Sequence, residues 1–311
     1  MRRFVKYCIY FALLCAFALL AFEIYLLRVP NRYSYKYEYV KTHKDDIRIL
    51  LMGNCHIEYS LNPELIGDNT FNFAISGREV PYDVELAKYF IPNMKNLKVV
   101  VMTFDYRNFA FGRGQVNPRE LKSDEEIEGT YKCMYYKYMG VRIDPFWYWS
   151  EVLNSDLNYK ARISYPYAMQ IETDSLGFAR RVGLDRKKDW EHLSLPKIID
   201  TSKPRDLKKY NELYTNYQTL ARLAQMNDIR LILVSTPMYK TYWEDMNPEV
   251  EKEMNMFIAK LQSEFPAVEY YNFMHSDKFQ PDDFFDASHI SNYGISKFSN
   301  MVKTIIEKEK H

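Results

Sequence analysis

Glycine is scarce in this sequence, with 10 residues in 311, while tyrosine is abundant at 27. Of the four cysteines, Cys8 and Cys15 fall inside an apolar amino-terminal run. Only Cys55 and Cys133 remain for a folded part, too few for a disulfide framework. A single Cys55–Cys133 bridge is conceivable, but we expect none. No Cys-x-x-Cys pair is present, so a thiol-redox protein has no support. Metal-ligand spacings and a phosphate-binding glycine loop are also missing, so no metal and no cofactor is expected. Neither sign of charge dominates: 42 basic against 41 acidic residues leave a formal net charge of +1. That balance gives no footprint for nucleic acid or for a strongly acidic partner. Repeats and low-complexity tracts are absent.

A chain that is 47% hydrophobic and 27% charged has the composition of a folded protein. Its first segment is the most informative. Arg2, Arg3 and Lys6 precede an apolar run from Tyr7 to Leu27, interrupted only by Glu23. The run is long enough to cross a bilayer. Basic residues ahead of it favour a cytoplasmic amino terminus, with everything after Arg28 outside the cytoplasm. A cleaved signal peptide is the rival, because Ala16-Phe17-Ala18 offers cleavage-type spacing. The apolar run continues well past that point, so an uncleaved anchor over residues 1–28 is the expectation. Cys15 lacks the preceding small residue of a lipoprotein signal.

Residues 29–46 are polar and tyrosine-rich without a clear period, and are expected to form a stalk. The domain then opens at residue 47. Short apolar runs over Ile47–Met52, Phe71–Ala74, Lys98–Phe104, Arg230–Ser235 and Val268–Phe273 suit strands buried in a parallel sheet. Between them, apolar residues at helical spacing predict helices over about Tyr82–Phe90, Lys208–Met226, Pro248–Phe265 and Ile295–Lys308. This alternation implies βαβ units and helices on both faces of the sheet. Residues from about 105 to 205 break the alternation. They carry Tyr131, Tyr135, Tyr136, Tyr138, Phe146-Trp147-Tyr148-Trp149, Tyr165 and Tyr167, and are expected to be an insertion over the carboxyl ends of the strands; the plainer reading is that these aromatics form the insertion's own small core.

Three features fall at strand exits: Gly53-Asn54-Cys55-His56 after the first strand, Ser76-Gly77 after the second, and Asp286-Ala287-Ser288-His289 before the last helix. Parallel strands bring such exits together. A nucleophile, an oxyanion donor and an Asp–His pair in those places would form a triad. Each has a plainer role: a buried core cysteine, a turn glycine, and helix-capping chemistry for Asp286 and Ser288. Arg78 is expected to be solvated, or else to bind a polar substrate group. Thr236-Pro237-Met238-Tyr239 ends the fourth strand, and Tyr239 is a candidate pocket residue. His56, next to Cys55 in sequence, is expected to point away from it and to serve as a structural hydrogen-bond partner.

The order of these motifs resembles the SGNH (GDSL-like) hydrolase and acyltransferase superfamily, including its membrane-anchored cell-envelope branch. The likeness rests on Leu51-Met52-Gly53-Asn54-Cys55-His56 as the first block, Gly77 in the second, and Asp286 with His289 as Asp-x-x-His. It covers roughly residues 47–104 and 206–308. Two departures stand out. Cys55 occupies the place of the family's serine, and the third block is replaced by Asp105-Tyr106-Arg107-Asn108, with Asn108 a candidate substitute for the oxyanion-binding asparagine.

The resemblance implies a three-layer α/β/α, flavodoxin-like domain and acyl-ester chemistry, acetyl transfer or removal, on an extracytoplasmic cell-envelope glycan. It also implies a membrane-bound O-acyltransferase as partner. Cys55 would be the nucleophile, His289 the base and Asp286 its orienter. The alternative is a catalytically degenerate protein of the same fold that binds glycan or assists assembly.

Overall fold

The computed structural model describes residues 2–28, 31–115, 134–141, 143, 173–180, 190–192, 204–244 and 246–308. Its centre is a five-stranded sheet of β1 (Ile49–Met52), β2 (Thr70–Asn72), β3 (Val99–Thr103), β4 (Arg230–Ser235) and β5 (Glu269–Asn272). The strands lie in the order β2-β1-β3-β4-β5, and every neighbouring pair is parallel. Strand β3 is buried along its whole length and β1 and β4 nearly so. That burial on both faces is why their sequences read as continuous apolar runs rather than alternating ones.

The parallel crossovers require helices on the faces, and the chain supplies them. On one face α4 (Pro63–Ile66) packs with α9 (Asn292–Glu307). On the other, α7 (Leu207–Met226) lies against α5 (Val80–Phe90), α6 (Tyr106–Arg113) and α8 (Pro248–Glu264). Helix α7 starts where Asp206 accepts hydrogen bonds from the Lys208 and Lys209 amides. It buries Leu213, Tyr217, Leu220 and Ala224, one stripe of its surface. Asn247 followed by Pro248 starts α8 in the same way. The expected three-layer α/β fold is therefore what the chain forms. Strand order reverses direction between β1 and β3, so the crevice at their carboxyl ends is the natural ligand position.

Helix α1 (Arg2–Arg28) is long and apolar enough to cross a membrane. The segment expected to be an irregular stalk is different. Residues Arg32–His43 form helix α2, capped by Asn31, whose side chain accepts from the Tyr33 and Ser34 amides. Tyr33, Lys36 and Val40 are buried against the domain. Lys36 Nζ lies 3.0 Å from Glu58 Oε1 and also donates to the Ala74 carbonyl. A polar sequence hid this helix because one of its inward residues is a lysine paired far along the chain.

The described parts of the insertion touch the frame at several places. The Asn72 amide at the β2 edge donates to the Leu176 carbonyl, and Tyr135 stacks on Tyr82. Trp190 packs on Tyr239 beside the exit of β4. Tyr131, Cys133, Phe146 to Trp149, Tyr165 and Tyr167 lie outside the described residues.

Candidate active site

The exit of β1 is shaped by Gly53. Its φ of +116° lies in the region that side chains resist, and an added Cβ would sit 2.2 Å from Thr103 Oγ1 on β3. Only glycine lets the chain turn that tightly against the neighbouring strand. Asn54 then caps α3 (Cys55–Glu58), its Oδ1 accepting from the His56 amide at 3.0 Å. The turn leaves Cys55 half-buried as a thiol.

At the exit of β3, Asp105 is fully buried. Its Oδ1 accepts from the Asn108 amide at 2.7 Å and starts α6. Its Oδ2 accepts from Asn54 Nδ2 at 2.9 Å and lies 2.8 Å from His56 Nδ1. A carboxylate only accepts, so the His56 proton sits on Nδ1. Burial by itself would raise the Asp105 carboxyl. The bond and charge of His56, with the donors Asn108 and Asn54, outweigh that and hold it below the ordinary range. Asp105 thus clamps the turn around Cys55 to β3 through two neighbours of that residue.

The third element is a small antiparallel pair, β6 (Phe284–Asp286) and β7 (His289–Ile290), whose register sets Asp286 opposite His289. His289 Nδ1 lies 2.9 and 3.0 Å from the two Asp286 oxygens, and Ser288 Oγ lies 3.0 Å from the same nitrogen. The Nδ1 proton is fixed here too, which makes Nε2 the basic nitrogen. The Tyr239 amide donates to the Ala287 carbonyl and braces this turn.

These elements converge. One ring nitrogen of His56, one of His289 and Cys55 Sγ all lie within 4.8 Å of one another. The two imidazole rings are 5.2 Å apart between centroids at an interplanar angle of 65°, and the Tyr59 ring edges His289 at 6.2 Å. Fold and sequence agree on bringing Cys55, His289 and Asp286 together. They differ on His56, which faces the thiol and His289 rather than pointing away. They differ also on Arg78, expected in solvent. It is buried, with NH1 donating to Asp83 Oδ1 at 3.1 Å and its guanidinium over the Phe73 ring. Asp83 Oδ1 in turn accepts from the Gly53 amide at 3.3 Å, so Arg78 supports the turn from beneath.

The remaining expected residues have identifiable places. Gly77 has φ of +76° in the loop after β2, where the preceding Ser76 amide donates to Glu58 Oε2 at 2.6 Å. The Asn108 amide serves as the capping donor to Asp105. The Tyr239 hydroxyl donates to Glu191 Oε2 at 3.0 Å, tying the insertion to the rim. Sequence reasoning quoted Asn54 and Asp105 within motifs but gave no role to them or to Tyr59. The signals for Asp105 were its place at a strand exit and in the segment that replaces the third block.

No family model matches the sequence, and no curated protein matches it significantly. Solved structures with a similar course exist. One, provisionally described as a platelet activating factor from Streptococcus pneumonia, has 12% identity and a TM-score of 0.46, covering 94% of this chain and 99% of that one. Another, provisionally described as an acylhydrolase from Bacteroides fragilis NCTC 9343, has 12% identity and a TM-score of 0.38, covering 86% and 93%. Neither likeness is close enough to assign a family or an activity. The chain is an α/β protein with a parallel five-stranded sheet, a cysteine–histidine–aspartate cluster at its strand exits, and one apolar amino-terminal helix.

Proposed function

We propose that this protein transfers or hydrolyses acyl esters, acetyl above all, on a cell-envelope glycan outside the cytoplasm, as an SGNH-type enzyme working through Cys55, His289 and Asp286. The observation that carries the reading is the grouping of Cys55 Sγ within 4.8 Å of a His289 ring nitrogen, on an imidazole whose Nδ1 is held by Asp286. In the proposed sequence Cys55 Sγ attacks the acyl carbonyl while His289 Nε2 takes the thiol proton. Asp286 accepts from Nδ1–H and stabilises the imidazolium. Backbone N–H groups of Cys55 and Gly77 face the oxyanion. Collapse breaks the carbon–oxygen bond, and the departing alkoxide takes the proton from His289. A glycan hydroxyl or water, deprotonated by His289, then breaks the thioester and frees Cys55.

Helix α1 would hold the domain at the outer face of the membrane. Acyl donors of this kind are made in the cytoplasm, so a membrane-bound O-acyltransferase is the fitting partner. The test is direct. Intact full-length protein in detergent is incubated with p-nitrophenyl acetate and digested, and the peptide that gains an acetyl group is identified by mass. Acetylation of Cys55 that disappears in His289→Ala supports the reading. An unmodified Cys55 in a folded protein defeats it and leaves the glycan-binding alternative.

A further inference from the structure

The triad uses one histidine, yet the fold sets two beside the same sulfur. Both are held alike. His56 Nδ1 is bound by the buried Asp105 carboxylate at 2.8 Å, and His289 Nδ1 by Asp286 at 2.9 and 3.0 Å. Each imidazole is thereby fixed as the tautomer whose Nε2 carries the lone pair. A carboxylate behind each histidine is the arrangement that orients imidazole ligands and raises their basicity toward a metal ion. His56 and His289 stand 233 positions apart in the chain, so no local motif announces the pair.

We propose that Cys55, His56 and His289 form a binding site for a thiophilic divalent cation, Zn2+ by its donor set, which closes the site to thiol chemistry when it binds. One thiolate and two imidazoles are donors that zinc accepts in tetrahedral geometry, with a fourth position left open. Tetrahedral zinc needs these donor atoms about 3.4–3.6 Å apart. The observed spread of up to 4.8 Å needs a contraction of about 1 Å, within reach of a side-chain rotation at half-buried Cys55. Binding converts the thiol to a thiolate, and the proton leaves to the buffer. The bound ion takes both the nucleophile's electron pair and the lone pair of His289. Any acyl transfer at this centre therefore stops until the metal is removed. That last consequence rests on the function proposed above; the binding itself does not.

The test uses the full-length protein in detergent, stripped with chelator and titrated with Co2+, then Zn2+. The expected result is one Co2+ per chain with a thiolate-to-metal charge-transfer absorption that Zn2+ displaces. Cys55→Ser, a nearly isosteric change, should abolish that absorption while the circular dichroism of the metal-free protein stays unchanged. His56→Gln and Asp105→Asn should weaken binding by about 10–100-fold. Zn2+ should also protect Cys55 from iodoacetamide, and chelator should reverse the protection. No charge-transfer band, or a band that survives Cys55→Ser, overturns the proposal. Because this readout involves no ester, it separates from the function test, which is run on chelated protein. Thioester formation without metal binding defeats the metal site alone, and metal binding without thioester defeats the enzyme alone.

Discussion

Replacing Lys36 by alanine should cost this protein a large part of its stability, although the residue belongs to a helix whose sequence looks like a solvated linker. Lys36 and Glu58 are both fully buried. Lys36 Nζ donates to Glu58 Oε1 at 3.0 Å and to the Ala74 carbonyl, while Glu58 Oε2 accepts from the Ser76 amide at 2.6 Å. Arg32 NH1 stands 3.5 Å from the same oxygen. Burial opposes the charge on Glu58, but Lys36, Arg32 and the Ser76 amide outweigh it and keep the carboxyl below its usual range. Removing Lys36 leaves the buried carboxylate with Arg32, 3.5 Å away, as its remaining cation and deprives the Ala74 carbonyl of its donor. Breaking such a pair costs about 3–5 kcal/mol, out of a total that for folded domains is about 5–15 kcal/mol. Urea unfolding of the full-length chain in detergent, followed by tryptophan fluorescence, should show the midpoint falling by about 1–2 M. The double variant Lys36→Met/Glu58→Gln should recover part of the loss, giving a coupling energy of at least about 1.5 kcal/mol. A loss below about 1 kcal/mol for Lys36→Ala would refute the reasoning, because α2 would then not be docked on the loop that carries Ser76 and Gly77.

Burial also pushes the Lys36 ammonium down to about 8, against an ordinary value in the unfolded chain. Between pH 8 and about 10.5 the unfolded state holds more protons, so the contribution of Lys36 to stability should rise with pH, by on the order of 3 kcal/mol at most. Urea midpoints of wild type and Lys36→Met across that window check it, and parallel profiles would contradict it. Gly53→Ala should destabilise by about 2 kcal/mol or more, from the +116° backbone angle and the clash with Thr103, and should slow Cys55 chemistry at least tenfold; an unaffected thiol would mean that the turn does not position it. A reporter fused after His311 should be active only outside the cytoplasm, and cytoplasmic activity would remove the proposed substrate class.

The sheet was legible because its strands are buried on both faces: Val99, Val100, Val101 and Met102 write an apolar run that no exposed element would tolerate. The strand exits were legible for the same reason, since each run ends where a glycine or polar residue begins. What stayed hidden depends on partners far apart in the chain. Arg78 looked solvated because Phe73, Asp83 and Tyr135, which surround it, form no local pattern. His56 looked incidental until β3 delivered Asp105 from 49 residues away. Helix α2 escaped notice because it docks on the domain partly through a lysine, and periodicity in apolar residues does not count a buried ion pair.

The central claim is that Cys55 is an activated thiol, and its alkylation rate tests that most directly. In chelated full-length protein at neutral pH, iodoacetamide should modify Cys55 at least about tenfold faster than an ordinary cysteine in a short peptide, because a neighbouring imidazole promotes the thiolate. In a folded His289→Ala protein the rate should fall to the peptide value or below. A Cys55 that reacts no faster than the peptide, at a rate indifferent to His289→Ala, would contradict the account.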